Sequence, residues 1–547
     1  MSLLAQQLAL LPAHLAKAVA RSRARADEVI VESRDGLCIN GLVHDSRPVL
    51  FHSRYAAARE ADRIAESTAH AGYVVALGMG MGHHLVAIAR RSARVVCIEP
   101  DPALVRSALE RTDMTDLLRV GRLVIEASTT PDALVDQIAA DYVPALHGTL
   151  ACTELPGRVQ ADRDGMRAAR AAVTSAIESI KNDLAVQARF GRMWMRNAIL
   201  NLAGSTIRTL PDFGGSRVIV AAAGPSLEDA MHELADPLAR TIAVDTALPV
   251  LSAHHVRPDL VLTVDCQSAT YHHYLAACLP NVPMVADLSA SPSVFSRMGS
   301  VLPVLSDHPL HGLFRRLGCA APYVDARGGN VTQAAVDLAV RCGAGSIRLV
   351  GADYSYPDGA TYARGSYLHR LFASVACRLA PQEARHYRFL LERPGLRRDT
   401  DRPSRLLQPL LLGYAASMER FAASLPVPVS RRQDRGVDLR LPLRPPNREP
   451  LREPFPPRRA EPPETILAEA SRLFSEIRDP TTLQAALGSP NEPISYAARA
   501  LLPLLACLSS ADPDADPAVL VSRARDETTA LFETGIARLQ AGEPTSD

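Results

Sequence analysis

Between Ser216 and about Leu425, short apolar runs alternate with helix-like stretches, and this alternation constrains the fold more than any other feature. The runs are Val218–Ala222, Thr241–Val244, Leu260–Val264, Met284–Ala286, Val301–Leu305, Tyr323–Val324 and Ile347–Val350. They are too short for helices and too uniformly apolar for strands with one wet face. Strands of that kind belong to a mainly parallel sheet covered on both faces by helices. Ligands in such sheets bind at the carboxyl ends of the strands, so the residues that follow each run are the ones to inspect.

The first run leads into Gly224-Pro225-Ser226-Leu227. Ser226 reads as a helix N-cap, with Asp229 three residues on completing a capping box. A helix N-terminus presents free N–H groups and a partial positive charge, so it can hold a phosphate without a lysine. The second run ends at Asp245, and the third at Asp265-Cys266-Gln267. Gly328-Gly329-Asn330-Val331-Thr332 opens another predicted helix, and the last run delivers Gly351-Ala352-Asp353. Each piece alone is weak, since an Asp at a strand end is often only a cap. Together they put polar groups on one sheet edge, in the order a nucleotide pocket needs. No GxxxxGK[ST] loop is present.

A second strand–turn–helix unit lies upstream, in Ala71–Glu110. Tyr73–Leu77 is its strand, Gly78, Gly80 and Gly82 its turn, His83–Arg91 its helix and Val95–Ile98 its next strand. Glu99 stands where an acidic residue would accept ribose hydroxyls. This unit is either a nucleotide or S-adenosylmethionine pocket or a Rossmann-like scaffold whose glycines only pack helix on strand.

The rest of the chain organises around these two units. Residues 1–26 read as an amphipathic helix, followed by β-like runs and a helix from about Ala56 to His70. Residues 157–205 lack proline and repeat apolar residues at three and four, as one long helix or two stacked ones. Asn182, Arg189, Phe190, Trp194, Asn197 and Asn201 lie there, either sealing the floor of the next domain or reaching its pocket. Arg440–Glu464 holds nine prolines and no apolar period, the mark of an extended linker. Past it, 465–541 read as three or four helices. The expected domains are therefore a Rossmann-like 1–155, a helical connector 156–215, a central α/β domain 216–430, a linker 431–464 and a helical 465–547.

Composition excludes several classes. Of 547 residues, 47% are hydrophobic and 22% charged, with 60 basic against 59 acidic, so nothing asks for nucleic acid or a membrane surface. The nine cysteines form no C-x-x-C pair, and several, including those in VVCIE and LLACL, sit in apolar runs. Reduced, buried cysteine in a cytoplasmic protein is the expectation. No signal peptide and no run of the roughly 18–20 apolar residues of a membrane span is expected.

GPSL after a strand, RPDLVLTVD, GGNVTQAAVDLAVRCGAGSIRLVGADYSYPDG, RFGRMWMRN and LFHSRYAAAREADR resemble the motility-associated-factor (Maf) proteins, over roughly residues 30–430. These are flagellin nonulosonic acid transferases, and their central domain is named after an archaeal 6-hydroxymethylpterin diphosphokinase, MptE. The resemblance implies a Rossmann-like N-terminal domain and a sialyltransferase-like central domain. It implies transfer of pseudaminic or legionaminic acid from a CMP-sugar donor to serine or threonine of flagellin. Carried over, Gly224, Pro225 and Ser226 would face the donor's phosphate and ribose, and Asp245 would hold the nucleotide. Asp265 and Gln267 would line the donor–acceptor junction, Gly329, Asn330 and Thr332 would complete the pocket, and Asp353 would close it.

Two departures stand out. Bacterial sialyltransferases usually have an asparagine in the first glycine turn, where Ala222 and Ala223 stand here. Many Maf proteins carry a Thr-His pair after the last strand's acidic residue, where this chain has Thr361-Tyr362. The acid–base candidates are then Asp265, Tyr362 and His369. Two rival readings stay open. One is diphosphate transfer from ATP to a pterin alcohol, with magnesium on Asp245, Asp265 and Asp353. The other is a non-catalytic flagellar assembly factor.

Overall fold

A computed structural model describes residues 2–44, 46–127, 130–139, 141–275, 277, 282–297, 301–432, 435–442, 459–489 and 491–541. The chain divides into two compact units, Met1–Arg189 with Leu505–Leu520, and Phe190–Leu504 with Val521–Asp547.

The first unit opens with two helices rather than one. Leu3–Leu8 and Ala13–Arg21 are separated by Pro12, which caps the second, because proline fits a helix start and not its interior. An antiparallel sheet follows: β1 (Glu28–Glu32), β2 (Cys38–His44) and β3 (Arg47–Leu50). A parallel sheet is built from β4 (Tyr73–Leu77), β5 (Arg94–Ile98), β6 (Leu123–Glu126) and β7 (Leu150–Glu154), in the order β6-β5-β4-β7. The chain walks outward from β4 to β6 and then returns to the other side of β4 as β7. The switch point of this sheet is therefore between β4 and β7.

The second unit carries the larger sheet. Its strands are β8 (Arg217–Ala221), β9 (Arg240–Val244), β10 (Leu260–Thr263), β11 (Met284–Asp287), β12 (Val301–Val304) and β13 (Ser346–Val350). A two-residue pair, β14 (Arg397–Arg398) and β15 (Leu406–Leu407), stands apart, and β16 (Val429–Arg431) returns to the sheet edge. The order is β12-β11-β10-β9-β8-β13-β16, with every neighbouring pair parallel. Val218, Ile219, Val220, Ala221, Ile242 and Ala243 are fully buried, as a sheet covered on both faces requires. The chain runs one way from β8 to β12 and then crosses back to β13. The switch point lies between β8 and β13.

Two strand expectations change. Tyr323–Val324 forms only an isolated bridge between Tyr323 and Leu305, too short to continue a ladder. The edge strand β16 replaces it as the sheet's seventh member. Its polar sequence, Val-Ser-Arg, gives no apolar run to find.

The stretch 157–205 becomes a short helix, Pro156–Ala161, and one helix of 41 residues, Arg163–Ala203. Within the second unit this helix seals rather than lines. Asn197 Nδ2 donates to the carbonyls of Cys266 (3.0 Å) and Ser289 (3.1 Å), and Asn201 Nδ2 to those of Leu288 and Ala290 (2.8 Å each). Trp194 meets the His308 ring edge-on at 5.4 Å.

The C-terminal part forms four helices: Pro463–Glu476, Pro480–Leu487, Pro493–Ala511 and Pro517–Ala541. The proline-rich stretch expected as a linker lies outside the described residues over 443–458, as does Cys278. Among the described residues, Pro493–Ala511 is the one helix long and apolar enough to cross a membrane by length and composition. Of that window, 56% is buried inside the protein. The eight described cysteines are free, with Cys97, Cys266, Cys319 and Cys342 buried and Cys152 and Cys377 exposed.

Candidate functional site

At the switch point between β8 and β13 lies a cavity of about 340 Å³. Its walls come from the two strand ends and the elements that follow them. After β8 come Ala222, Ala223 and Gly224, and after β13 come Gly351 to Tyr356. Thr246 enters from the end of β9, and Asn330, Val331 and Thr332 from the start of the helix Val331–Arg341. The far wall is more apolar: Tyr362, Phe389, Leu410, Leu411 and Tyr414, with Arg393 and Gln408.

Gly224 is required by proximity. A Cβ there would sit 2.2 Å from Asp353 Oδ2 and 2.5 Å from the Gly351 carbonyl. That approach lets Asp353 accept the Ser226 N–H at 3.0 Å. The expected capping box at Ser226 does not form. Pro225–Ala230 is a 3₁₀ helix capped by Gly224 without a side-chain bond, and Ser226 Oγ is buried with no hydrogen-bond partner among the described residues. The Asp353 carboxylate, brought from β13, already occupies this helix start. Asp229 pairs instead with Arg435 at 3.1 Å. A phosphate at the Ser226 end would meet that carboxylate, so the favourable helix N-terminus is the other one. There Asn330 is the N-cap, its Oδ1 accepting the Gln333 N–H at 3.0 Å, and Gly329 makes the turn before it with φ +68°.

The remaining expected residues divide by position. Asn330, Thr332, Gly224, Asp353 and Tyr362 line the cavity, while Pro225, Ser226 and Gly329 stand directly behind it in sequence. Asp245 is buried and committed: Oδ1 accepts from the Thr246 N–H (2.6 Å) and hydroxyl (2.9 Å), and Oδ2 from the Thr263 hydroxyl (2.6 Å). Through Thr246 it positions a wall residue rather than facing the cavity. Asp265 is exposed after β10, its Oδ1 accepting the Gln267 N–H at 2.9 Å, and neither residue is in the lining. His369 is also outside it, on the helix Tyr367–Ser374, with its ring 4.4 Å from that of His386. Burial lowers its pKa, so it stays neutral at physiological pH. Burial raises the Tyr362 pKa, which keeps the phenol protonated and makes it a hydrogen-bond donor rather than a base.

The three carboxylates expected to hold magnesium do not all face the cavity. Asp245 is consumed by two threonines, Asp353 by a backbone N–H, and Asp265 stands outside the lining. Among the described residues, no group of three His, Cys, Asp or Glu is arranged to hold a metal ion.

Several site residues escape sequence reading. Phe389 and Arg393 come from the helix Gln382–Leu391 and the turn after it, Leu410, Leu411 and Tyr414 from the helix Pro409–Ser424. The signal for the first pair was the i, i+4 spacing in RFLLER, which stacks an arginine on a phenylalanine.

The upstream glycine turn sits at its own sheet's switch point, and there the space is filled. Glu99 is fully buried and Arg158 is 2% exposed; they pair at 2.9 Å. Glu99 also accepts the N–H of Met79 (3.1 Å) and of Asp101 (3.2 Å). A Cβ on Gly78 would lie 2.8 Å from Arg158, on Gly80 2.8 Å from Leu155, and on Gly82 2.9 Å from Met114. The carboxylate that would take a ribose is thus neutralised by the chain's own arginine, and Gly78, Gly80 and Gly82 pack side chains.

Taken together, the sheets, the switch-point cavity and the helical C-terminal region define an α/β protein of the Rossmann-like glycosyltransferase fold. The chain carries an MptE-like domain: residues 193–359 match the model described as 6-hydroxymethylpterin diphosphokinase MptE-like. An uncharacterized protein of Treponema pallidum (strain Nichols) is 30% identical over 172 residues, 30% of this chain and 81% of that protein. A second from the same organism is 28% identical over 195 residues, 35% of this chain and 43% of its own length. The fold matches a solved Maf glycosyltransferase of Magnetospirillum magneticum AMB-1 with a TM-score of 0.59 at 14% identity, covering 98% of this chain and 96% of that one. The resemblance read from the sequence is borne out in family and in fold.

Proposed function

We propose that this chain is a glycosyltransferase that moves a nonulosonic acid, such as pseudaminic or legionaminic acid, from a CMP-sugar donor to Ser or Thr hydroxyls. The acceptor is flagellin or another filament protein, and the reaction takes place in the cytoplasm. The observation that carries this reading is the cavity at the β8/β13 switch point, open where the equivalent point of the other sheet is plugged. The fold shared along nearly the whole chain with the Maf glycosyltransferase of Magnetospirillum magneticum AMB-1 supports it.

In the proposed reaction the acceptor oxygen attacks the anomeric carbon. The bond from that carbon to the phosphate oxygen breaks, and CMP leaves with the electron pair. Tyr362, held protonated by burial, donates a hydrogen bond to the departing oxygen. The N–H groups at Val331 and Thr332 add a fixed dipole of the right sign. In this reading the acceptor proton goes to Asp265, exposed after β10 and outside the cavity lining, on the side from which a protein acceptor would approach.

The test is mass spectrometry of purified flagellin incubated with the chain and a CMP-nonulosonic acid. A mass gain of one sugar acid is expected, reduced at least tenfold by Asp265→Asn and by Tyr362→Phe. The MptE-like match favours a second reading, diphosphate transfer from ATP to a pterin alcohol. A pterin diphosphate formed with ATP and magnesium, and no mass gain on flagellin, would replace the first reading with the second.

A further inference from the structure

The cavity holds one acidic and one basic side chain, Asp353 and Arg393. Asp353 accepts the Ser226 N–H. Arg393 is different. Its guanidinium carbon lies 3.8 Å from the centroid of the Phe389 ring, a stacking that fixes the plane of the fork. Its Nε is buried and has no hydrogen-bond partner among the described residues. Arginines of neighbouring segments are paired: Arg364 with Glu228, Arg435 with Asp229 and Asp358, and Arg405 with Asp399. Arg393 forms no such ion pair among the described residues. A half-buried, oriented guanidinium whose Nε is shut off from water without a partner is a ready place for an anion to complete.

Two further observations point into the same space. Thr361 lines the cavity at 6% exposure, and its hydroxyl has no hydrogen-bond partner among the described residues. The N-terminal residues of the 11-residue helix Val331–Arg341 also line it, and the Asn330 cap takes up only the Gln333 N–H. Donors therefore face this cavity from three separate elements, against a single carboxylate already engaged.

We propose that Arg393, with Thr361 and the first N–H groups of the helix Val331–Arg341, forms a subsite for the phosphoryl group of a nucleoside monophosphate ester. Phe389 positions the guanidinium, and the cavity's tyrosines flank the nucleoside. This rests on the reading of the cavity as a nucleotide-sugar site and assigns its anion specificity to one residue that lies past the MptE-like match.

The test is calorimetric titration of the full chain and its Arg393→Gln and Arg393→Lys variants with CMP, cytidine, AMP, adenosine and free N-acetylneuraminic acid. Wild type is expected to bind CMP at least tenfold tighter than cytidine. Arg393→Gln should abolish that ratio while leaving cytidine affinity and the melting temperature unchanged, and Arg393→Lys should restore part of it. If AMP over adenosine shows the Arg393-dependent ratio and CMP does not bind, the subsite stands and the cytidine reading fails. An unchanged ratio in Arg393→Gln overturns the proposal. So does an Arg393 dependence confined to the free sugar acid, and so does a failure of all the nucleotides to bind wild type.

Discussion

At Gly224 one methyl group decides whether the cavity keeps its shape. The residue has an ordinary φ of −67°, so alanine meets no backbone objection there. The objection is the Asp353 carboxylate, 2.2 Å from where the methyl would be. Gly224→Ala is expected to cost about 2 kcal/mol or more, because either the strand ends part or Asp353 gives up the Ser226 N–H. Urea unfolding followed at the second unit measures it, and a midpoint equal to wild type would show that the contact is soft. A second residue-scale prediction concerns acid. Burial pushes His308 and His311 down to about 3, and the His311 Nδ1 accepts the Ser306 N–H at 3.0 Å, so the fold needs it unprotonated there. The unfolded chain takes up these protons near pH 6.5, the folded chain only near 3. Stability is therefore fully present above about 6.5 and falls as pH drops, by up to about 1.4 kcal/mol per unit for each histidine. Buried Asp287, whose pKa is raised, opposes this only through the part of its own titration above its ordinary value. His311→Gln should flatten the pH dependence of the unfolding midpoint between pH 6.5 and 4. A profile as steep as wild type would count against His311 as a source.

At the scale of elements, the two glycine turns look alike in sequence and do opposite things. The turn after β4 is closed by the Glu99–Arg158 pair, with Arg158 coming from the helix that follows β7. Removing one partner leaves an uncompensated buried charge, so Arg158→Met is expected to destabilise the first unit by about 3–5 kcal/mol. The double change Glu99→Met with Arg158→Met should recover much of that loss. Hydrogen exchange at the amides of β4 and β5 checks both, and a double variant no better protected than the single would deny the pair its role. This contrast also marks how far the sequence was legible. β4 begins and ends where its apolar run does, at Tyr73 and Leu77, and six of the seven central runs became strands within a residue or two. Buried parallel strands announce themselves because both faces are apolar. The plug at Glu99 was invisible because its partner lies 59 residues away and joins it only through the sheet order. The Ser226 cap was misread for the same reason, since the group that takes its N–H sits 127 residues downstream. The far wall of the cavity, with Phe389, Arg393 and Tyr414, comes from two helices and the turn after the first, whose sequence carries no strand-end signature.

At the scale of the whole chain, one design is used twice. Each unit has a parallel sheet whose strand order reverses beside a glycine turn, at β4/β7 and at β8/β13. The fold alone would allow a ligand at both places. Side chains decide otherwise: the first point holds a buried ion pair and three glycines under packed side chains, the second holds about 340 Å³ of space. A nucleotide ligand should therefore stabilise one sheet and leave the other alone. A ligand at a hundred times its dissociation constant adds about 2.7 kcal/mol to whatever unfolds with its site. With saturating CMP, amides of Val218–Ala221 and Ile347–Val350 are expected to exchange more slowly, while those of Val74–Leu77 and Val95–Ile98 keep their rates. The Asn330→Ala variant, which loses the helix cap at the cavity, should weaken the effect without touching the first sheet. Protection that appears at β4 and β5 and not at β8 and β13 would place the ligand at the glycine turn, and the ion pair would then have to open to admit it.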